Sequence, residues 1–313
     1  MDLIESLVLE SGGKIVLLVL DGLGDLPDPS EDWRTPLEAA HTPHLDAIAR
    51  ASALGRLTPV APGVTPGSGP GHLGLFGYDP LTHAVGRGVL EALGAGIELQ
   101  HGDVAARANF CTIDASGVVT DRRAGRIATE TCARLVDLLR PKLGRIEDVE
   151  IVLKPGKGHR FVAVLRGPGL GGAVSDADPH KEGRPVPAAH ALEAAAANEK
   201  TAAVVNAFVA RATQVLEREA PANGVLVRGL SERPRYPGYR ERFKLRAAAI
   251  AAYPMYRGVA SLAGMDLFVP AGRAQRTRSR WPRGSGRATT TCSCTSRAPT
   301  WPARTATSMP RWR

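Results

Sequence analysis

A continuous aliphatic run near the start of the chain constrains its fold most strongly. Residues 14–20 read Lys-Ile-Val-Leu-Leu-Val-Leu, with two glycines before them and Asp21 directly after. Such a run is typical of a strand buried on both faces, as in a parallel sheet covered by helices. Residues 21–25, Asp-Gly-Leu-Gly-Asp, then lie at the carboxyl edge of the sheet, where open α/β sheets bind ligands. Asp21 is therefore either a metal ligand or a turn aspartate.

The remaining pattern combines two types of organisation. Strands and helices alternate over residues 1–100 and 190–267, with helices predicted at 190–218 and near 242–262. Short strands follow one another closely over 100–190. We therefore predict an α/β fold with a doubly wound core sheet, formed by the outer segments. A smaller α+β domain, residues 100–190, is inserted as a cap over the carboxyl edge of that sheet.

All the excess positive charge lies at the end of the chain. The net charge is +9, but residues 268–313 hold ten arginines, no lysine and no acidic residue. After Val269 there is no Ile, Leu, Val, Phe or Tyr, so this tail cannot form a core of its own. The tail is either a natural basic arm or the product of a gene read out of frame. As a basic arm with tryptophans it would bind nucleic acid.

The genetic code favours the out-of-frame interpretation. Across Ala288–Arg313, the third base of each codon can be joined to the first two bases of the next codon. The new frame can then be read as D-Y-D-V-L-L-H-V-K-G-T-D-L-A-G-E-D-G-D-F-D-A-K-V-A. That reading is an aliphatic strand followed by an acidic loop. We accordingly predict that 268–313 is a disordered, frameshifted tail, that the core sheet is incomplete, and that nucleic acid is not a partner.

Composition excludes two other classes of protein. Four cysteines in 313 residues are too few for a disulfide framework. No apolar run reaches the roughly 18 residues of a membrane helix. The first ten residues carry three acids and no basic region, unlike a signal peptide. These features predict a cytoplasmic protein without a membrane partner, and they leave its oligomeric state open.

Four short segments outside the first strand could carry chemistry. Ser68 lies between glycines, where its hydroxyl is accessible, before a predicted helix whose amino terminus favours anions, or else it belongs to a plain Gly/Pro loop. Residues 120–126 hold three arginines suited to gripping phosphate or carboxylate, or else a solvated basic turn. Residues 157–160 form a second cationic cluster. Residues 176–180 could ligate a metal, although a capped polar turn is the simpler interpretation. Cys111 and Cys132 are predicted to be inert.

Taken together, these segments resemble one family. The motifs are residues 19–25, Thr35-Pro36-Leu37-Glu38, Gly67-Ser68, residues 72–80 (His-Leu-Gly-Leu-Phe-Gly-Tyr-Asp-Pro), Gly86-Arg87-Gly88, residues 91–94, Asn109-Phe110, and residues 120–126 (Thr-Asp-Arg-Arg-Ala-Gly-Arg). In this order, over about residues 14–267, they resemble the archaeal-type 2,3-bisphosphoglycerate-independent phosphoglycerate mutases of the alkaline phosphatase superfamily. The shifted reading of the tail also resembles the next motif of that family.

The resemblance implies an isomerase of glycolysis and gluconeogenesis that interconverts 3-phosphoglycerate and 2-phosphoglycerate without bisphosphoglycerate. It implies two divalent ions, Mn²⁺ or Mg²⁺, with Asp21 and Ser68 as metal ligands. Ser68 is also the implied nucleophile, which forms a phosphoserine intermediate. The implied substrate-binding residues are Arg122, Arg123, Arg126, His159, Arg160 and, near the metals, Lys244.

The chain departs from the family at its end. The remaining metal ligands of the family follow in the part of the chain that the arginine-rich tail replaces. Asp21 and Ser68 alone cannot hold two metals, so we expect the chain as written to be inactive. A metal-dependent phosphatase or another phosphotransferase of the same superfamily is the alternative, because the same serine and metals serve both.

Overall fold

The computed structural model describes residues 3–10, 12–21, 26–29 and 32–268, and the backbone of 291–297. The helices are α1 (Leu3–Leu7), α2 (Pro36–Ala39), α3 (Pro43–Arg50), α4 (Ser68–Leu75), α5 (Arg87–Gly94), α6 (Thr129–Leu143), α7 (Ala196–Leu216), α8 (Tyr239–Phe243) and α9 (Pro254–Leu262). The strands are β1 (Ile15–Asp21), β2 (Val104–Ile113), β3 (Val118–Asp121), β4 (Arg145–Ile146), β5 (Val149–Pro155), β6 (Arg160–Arg166), β7 (Arg184–Pro185), β8 (Gly224–Glu232), β9 (Ala247–Ala251), β10 (Asp266–Phe268) and β11 (Thr291–Arg297). Of the helices in these residues, none is long and apolar enough to cross a membrane.

A parallel sheet forms the first of two units. Its strands lie in the order β1-β11-β9-β10, and each neighbouring pair is parallel. Helices α4, α5 and α9 supply much of its apolar core, which includes Leu73, Leu90 and Val259. The predicted fold class, an α/β core sheet with an inserted α+β unit, is confirmed.

Strand β1 lies where the aliphatic run predicts it, but it is not buried on both faces. Leu17, Val19 and Asp21 are half-buried and face the core, whereas Val16 is 78% and Leu18 58% exposed. The reason is that the apolar core contacts only one face of β1, the face that carries Leu17.

An antiparallel sheet forms the second unit. Its strands lie in the order β4-β5-β6-β2-β3-β7, and β8 also pairs with β2. Helices α6 and α7 cover one face, where Phe110, Leu139 and Phe208 belong to a separate apolar core. Because α7 and β8 complete this unit, the inserted segment ends near residue 232. The predicted boundary at residue 190 is therefore wrong. The sequence of β8 alone does not show which sheet the strand joins, because this depends on its long-range pairing with β2.

The second face of the antiparallel sheet contacts the first unit. Ala105, Val162 and Val164 on this face belong to the same core as α5 and α9. Gly88 of α5 lies so close to β2 that an added Cβ would meet the carbonyl oxygen of Ala105 at 2.2 Å. Strands β2 and β6 therefore contribute one face to each core.

Two predictions about the last part of the chain need correction. The helix predicted near 242–262 is divided, because Ala247–Ala251 form strand β9 between α8 and α9. Alanine favours helices in isolation, but here its small side chain is buried inside the parallel sheet. Residues 291–297, predicted to be disordered, form β11 between β1 and β9. The rest of the predicted disordered tail lies outside the described residues, as do residues 22–25.

Candidate active site

Asp21 and the helix that begins at Ser68 meet through two aromatic side chains. Asp21 is the last residue of β1, and its carboxylate accepts a hydrogen bond from the Tyr256 hydroxyl. The Tyr256 ring packs on the His72 ring with 4.5 Å between centroids. The Nδ1 atom of His72 lies 2.8 Å from the carbonyl oxygen of Ser68. The structure thus brings Asp21 and Ser68 to one region at the carboxyl edge of the parallel sheet.

Ser68 is the first residue of α4, with Gly67 as its N-cap in extended conformation. The helix is rich in glycine because its backbone packs closely against its surroundings. An added Cβ on Gly74 would lie 1.9 Å from the carbonyl oxygen of Pro59. The half-buried serine hydroxyl therefore lies in the first turn of the helix, where unpaired backbone N–H groups favour an anion.

The described residues offer few ligands for a metal at this place. Asp21 and Ser68 supply one carboxylate and one hydroxyl, and residues 22–25 are outside the description. In the described part of the chain, no group of three or more His, Cys, Asp or Glu could hold a metal ion. The Nε2 atom of His72 is buried with no hydrogen-bond partner there. This donor set does not fit a centre of two divalent ions.

A basic cavity opens between the two units, where Tyr253 is part of its lining. It has a volume of about 390 Å³, and its lining includes Lys154, Lys157, Arg160, Tyr253 and Arg257. The guanidinium of Arg160, on β6, donates a hydrogen bond of 3.1 Å to the Tyr253 hydroxyl. The Tyr253 and Tyr256 rings lie 5.7 Å apart. The tyrosines that follow β9 therefore connect the cationic inserted unit with Asp21.

The predicted arginine turn is held by a carboxylate at its base. Asp121 accepts backbone N–H bonds from Arg123 at 2.7 Å and Gly125 at 2.6 Å. Ala124, Gly125 and Arg126 all have positive φ, of 48°, 64° and 57°. Left-handed conformation is costly for residues other than glycine, and such strain is concentrated at functional sites. Arg123 and Arg126 are exposed, so their guanidinium groups can reach a ligand.

Arg122, the remaining arginine of this turn, is held by Asp178. Its Nε and Nη2 atoms donate to the Asp178 carboxylate at 3.1, 2.8 and 2.6 Å. Asp176 accepts from the Gly229 backbone at 2.7 Å and pairs with His180. Residues 176–180 are thus a capped polar turn, the simpler of the two interpretations.

Two arginines of the site have no motif of their own and were missed from the sequence. Arg107 of β2 is directly opposite Arg228 of β8, and Arg107 also lies near Arg160. Burial, together with repulsion from Arg228 and Arg160, lowers the pKa of Arg107 to about 10. The available signal was the alternation of Arg107 and Asn109 with apolar residues, which places both on one face of a strand.

His159 lies among the same cations and is buried. Burial, followed by repulsion from Arg160, Arg107 and Arg123, lowers the pKa of His159 to about 4. His159 is therefore neutral at pH 7 in the ligand-free protein.

Lys244 is not brought together with these residues. It precedes β9, whereas Asp21 ends β1, and the two strands lie parallel with β11 between them. Lys244 is consequently at the amino edge of the sheet, opposite to the edge that holds Asp21. The segment that contains Lys244 precedes β9 rather than following it. Because the sequence predicts a helix over 242–262, it does not indicate strand β9 or the position of Lys244 relative to it.

Comparison with known proteins shows which family this chain resembles. Residues 49–223 match the family model described as 2,3-bisphosphoglycerate-independent phosphoglycerate mutase. A protein of Thermotoga maritima, named a probable 2,3-bisphosphoglycerate-independent phosphoglycerate mutase, is 52% identical over 266 residues, or 85% of this chain and 65% of that protein. A protein of Thermus thermophilus with the same name is 52% identical over 265 residues, or 84% of this chain and 64% of its own length. The match thus spans just under two thirds of these relatives.

Two solved structures share the fold. The cofactor-independent phosphoglycerate mutase from Thermoplasma acidophilum has a TM-score of 0.60 and 31% identity, over 91% of this chain and 78% of that chain. The PH0037 protein from Pyrococcus horikoshii has a TM-score of 0.68 and 28% identity, over 91% of this chain and 70% of that chain.

Proposed function

Because the chain belongs to the 2,3-bisphosphoglycerate-independent phosphoglycerate mutase family, we propose that its intact form interconverts 3-phosphoglycerate and 2-phosphoglycerate. The observation that carries the proposal is one juxtaposition. Ser68 begins a helix next to Asp21, and Tyr253 connects this region with a cavity lined by basic residues. A hydroxyl at a helix amino terminus beside a cationic cavity suits transfer of a phosphoryl group from a small anionic substrate.

The chemistry we propose has two transfers with a phosphoserine between them. The Ser68 oxygen forms a bond to phosphorus as the bond from phosphorus to one glycerate oxygen breaks, and the serine proton passes to that oxygen. The glycerate stays bound, and its other hydroxyl then takes the phosphoryl group and returns a proton to Ser68. The arginines at 122, 123, 126 and 160 retain the glycerate between the two transfers.

Two divalent ions, Mn²⁺ or Mg²⁺, belong to this proposal for the intact protein. When bound they neutralise the charge that spreads over the phosphoryl oxygens. The donors among the described residues do not fit two ions, so we derive no step through the metals. We propose instead that the chain with its present tail is inactive, and that the missing ligands lie in the reading frame which the tail replaces.

Two proteins test the proposal together. With the reading frame restored after codon 267 and with Mn²⁺ present, we expect 2-phosphoglycerate to form from 3-phosphoglycerate, and to be lost in Ser68→Ala. Residues 1–313 as written should form none. Release of inorganic phosphate without 2-phosphoglycerate would favour the phosphatase alternative. Robust turnover by residues 1–313 would contradict the proposed inactivity.

A further inference from the structure

A second cavity lies where the chain crosses between the two units. The first crossing joins α5 to β2 and the second joins β8 to α8, so residues 95–103 and 233–238 form the two connections. Residues of both connections line this cavity, which has a volume of about 610 Å³. We call it the crossing cavity, and its lining includes Leu99, His101, Arg233, Arg235, Tyr236 and Leu262. A cavity of this size is in the range of sites for small organic ligands.

The crossing cavity is separate from the basic cavity that Tyr253 lines. Pro254 and Arg257, near the amino end of α9, line the basic cavity, whereas Leu262, the last residue of α9, lines the crossing cavity. At 1.5 Å per residue, the helix from Pro254 to Leu262 spans about 12 Å. Among the described residues, none lines both cavities. A ligand in the crossing cavity would therefore not contact the groups that the proposed phosphoryl transfer uses.

The polar part of the crossing cavity is cationic. Arg233 and Arg235 are exposed, and His101 of the first connection lines the same space. In the described part of the chain, neither arginine has an ion pair or a side-chain hydrogen bond. Of the described lining residues only Glu232 is acidic, and its carboxylate accepts the Gly172 backbone N–H at 3.1 Å. Two guanidinium groups without a protein partner, on one short segment, suit an anion with several oxygens.

The two arginines lie on a segment that is held in place. Arg233 precedes a proline, which keeps its backbone extended. Tyr236, directly after the second arginine, donates a hydrogen bond from its hydroxyl to the carbonyl oxygen of His83. The carbonyl oxygen of Pro237 accepts a hydrogen bond of 2.7 Å from the Tyr78 hydroxyl. Because the segment is already ordered, less conformational freedom is lost when the arginines bind a ligand.

Other lining residues give the crossing cavity an apolar part. Leu99 and Leu262 are each 5% exposed, and the Tyr236 ring is half-buried. Burial raises the pKa of Tyr236 to about 12, so the phenol is neutral at pH 7 and does not repel an anion. A flat ring of a ligand can pack against these side chains. The combination of cationic and apolar walls suits an organic anion better than inorganic phosphate.

We propose that the crossing cavity binds a nucleoside diphosphate, with its phosphate groups on Arg233 and Arg235 and its base against Tyr236, Leu99 and Leu262. A diphosphate offers each guanidinium a phosphate group of its own. The inference is independent of the proposed function, because the phosphoryl transfer uses none of these residues. Since both connections line the site, a bound nucleotide would link them and restrict their movement.

Calorimetry on residues 1–313 with ADP and with inorganic pyrophosphate tests the site. We expect ADP to bind to the unchanged chain, and pyrophosphate, which lacks the base, to bind at least tenfold more weakly. Arg233→Gln and Arg235→Gln should each weaken ADP binding at least fivefold. Added salt should also weaken it, because exposed charges are screened. Arg235→Lys, expected to weaken ADP binding at least twofold, serves if a glutamine variant unfolds, since an ammonium lacks the guanidinium fork.

Two other arginines provide matched controls. Arg240→Gln removes an exposed arginine just beyond the second connection that does not line the crossing cavity, and Arg160→Gln removes a cation of the basic cavity. Both should leave the affinity for ADP within twofold of the unchanged chain. ADP should slow hydrogen exchange in residues 96–103 and 233–238 but not in 154–160. Circular dichroism should show that each variant remains folded.

Four results would overturn the proposal. Absence of ADP binding by the unchanged chain, or unchanged affinity in both glutamine variants of the second connection, would contradict a site in the crossing cavity. An equal loss in Arg160→Gln would place ADP in the basic cavity instead. Pyrophosphate that binds as tightly as ADP would contradict the assignment of a nucleotide. Formation of 2-phosphoglycerate by the restored enzyme is a separate test, because ADP binding does not depend on catalysis.

Discussion

The crossing of α5 and α9 should be the most sensitive point of the core around the parallel sheet. The two helices meet backbone to backbone at Gly94 and Gly258. An added Cβ on Gly258 would lie 1.9 Å from the carbonyl oxygen of Leu90, and one on Gly94 would lie 1.6 Å from that of Pro254. We predict that Gly258→Ala and Gly94→Ala each destabilise this core.

The size of the expected destabilisation depends on the atoms that obstruct the new methyl group. An ordinary contact begins at 3.4 Å, so Gly258→Ala must separate the helices by about 1.5 Å. Overpacking of a core costs about 1–3 kcal/mol, and the upper part applies here because the obstacle is backbone and not a movable side chain. The gain of roughly 0.5–1 kcal/mol from replacing glycine in a helix offsets part of this. A net loss of about 2 kcal/mol remains, which is roughly a thirtyfold change in an equilibrium constant.

Hydrogen exchange followed by mass spectrometry measures this change locally. Peptides from α5 and α9 should lose protection by about thirtyfold, whereas peptides from α6 and α7, in the other core, should change little. Gly55→Ala is the matched control, since nothing lies within 4 Å of its added Cβ. Protection in α5 and α9 that stays within twofold of the unchanged chain would refute the close approach of these two helices.

Three further predictions concern ionisable groups. The pKa of His159 falls from 6.5 to about 4 on folding, so the folded state binds fewer protons than the unfolded state. The free energy of unfolding should therefore drop by up to about 3 kcal/mol as the pH is lowered from 6.5 to 4. Urea unfolding across this range should show the drop, and His159→Gln should remove most of it. Burial raises the pKa of Cys111 to about 12 and of Cys132 to about 11, so iodoacetamide at pH 8 should leave both thiols unlabelled until the chain unfolds; rapid labelling of the native chain would contradict their burial. Asp103→Asn should lower the free energy of unfolding by about 3 kcal/mol, because the buried Asp103 carboxylate pairs with Arg166 of β6. Glu219→Gln, in an exposed pair, should lower it by less than about 1 kcal/mol. Equal urea midpoints for the two variants would argue against that difference.

Much of the fold can be predicted from local pattern alone. Strand β1 lies within a residue of the aliphatic run at 14–20 that predicts it, and α7 lies within the helix predicted at 190–218. Strand β9 could not be predicted in this way. Its five residues, Ala-Ala-Ala-Ile-Ala, favour a helix locally, and only their place inside a parallel sheet makes them a strand.

The candidate site shows the same division between local and long-range information. Asp21 stands out because an apolar run changes to a glycine-rich loop there, and Ser68 because it lies between glycines before a predicted helix. Arg107 and Arg228 are 121 positions apart, and each stands alone among small or apolar neighbours in its strand. Their meeting is a property of strand register, which no single stretch of sequence encodes.

The pairing register of strand β2 determines both whether its apolar residues reach the core and whether its polar residues reach the site. Its odd positions 107 and 109 are polar and face the region between the units, while Ala106, Ala108 and Phe110 face the core under α6 and α7. A slip of one residue in pairing would exchange the two faces and bury Arg107 in that apolar core. The slipped chain would fail to fold rather than fold with a faulty site. Errors in this part of the site are therefore removed by folding itself, before any ligand is present.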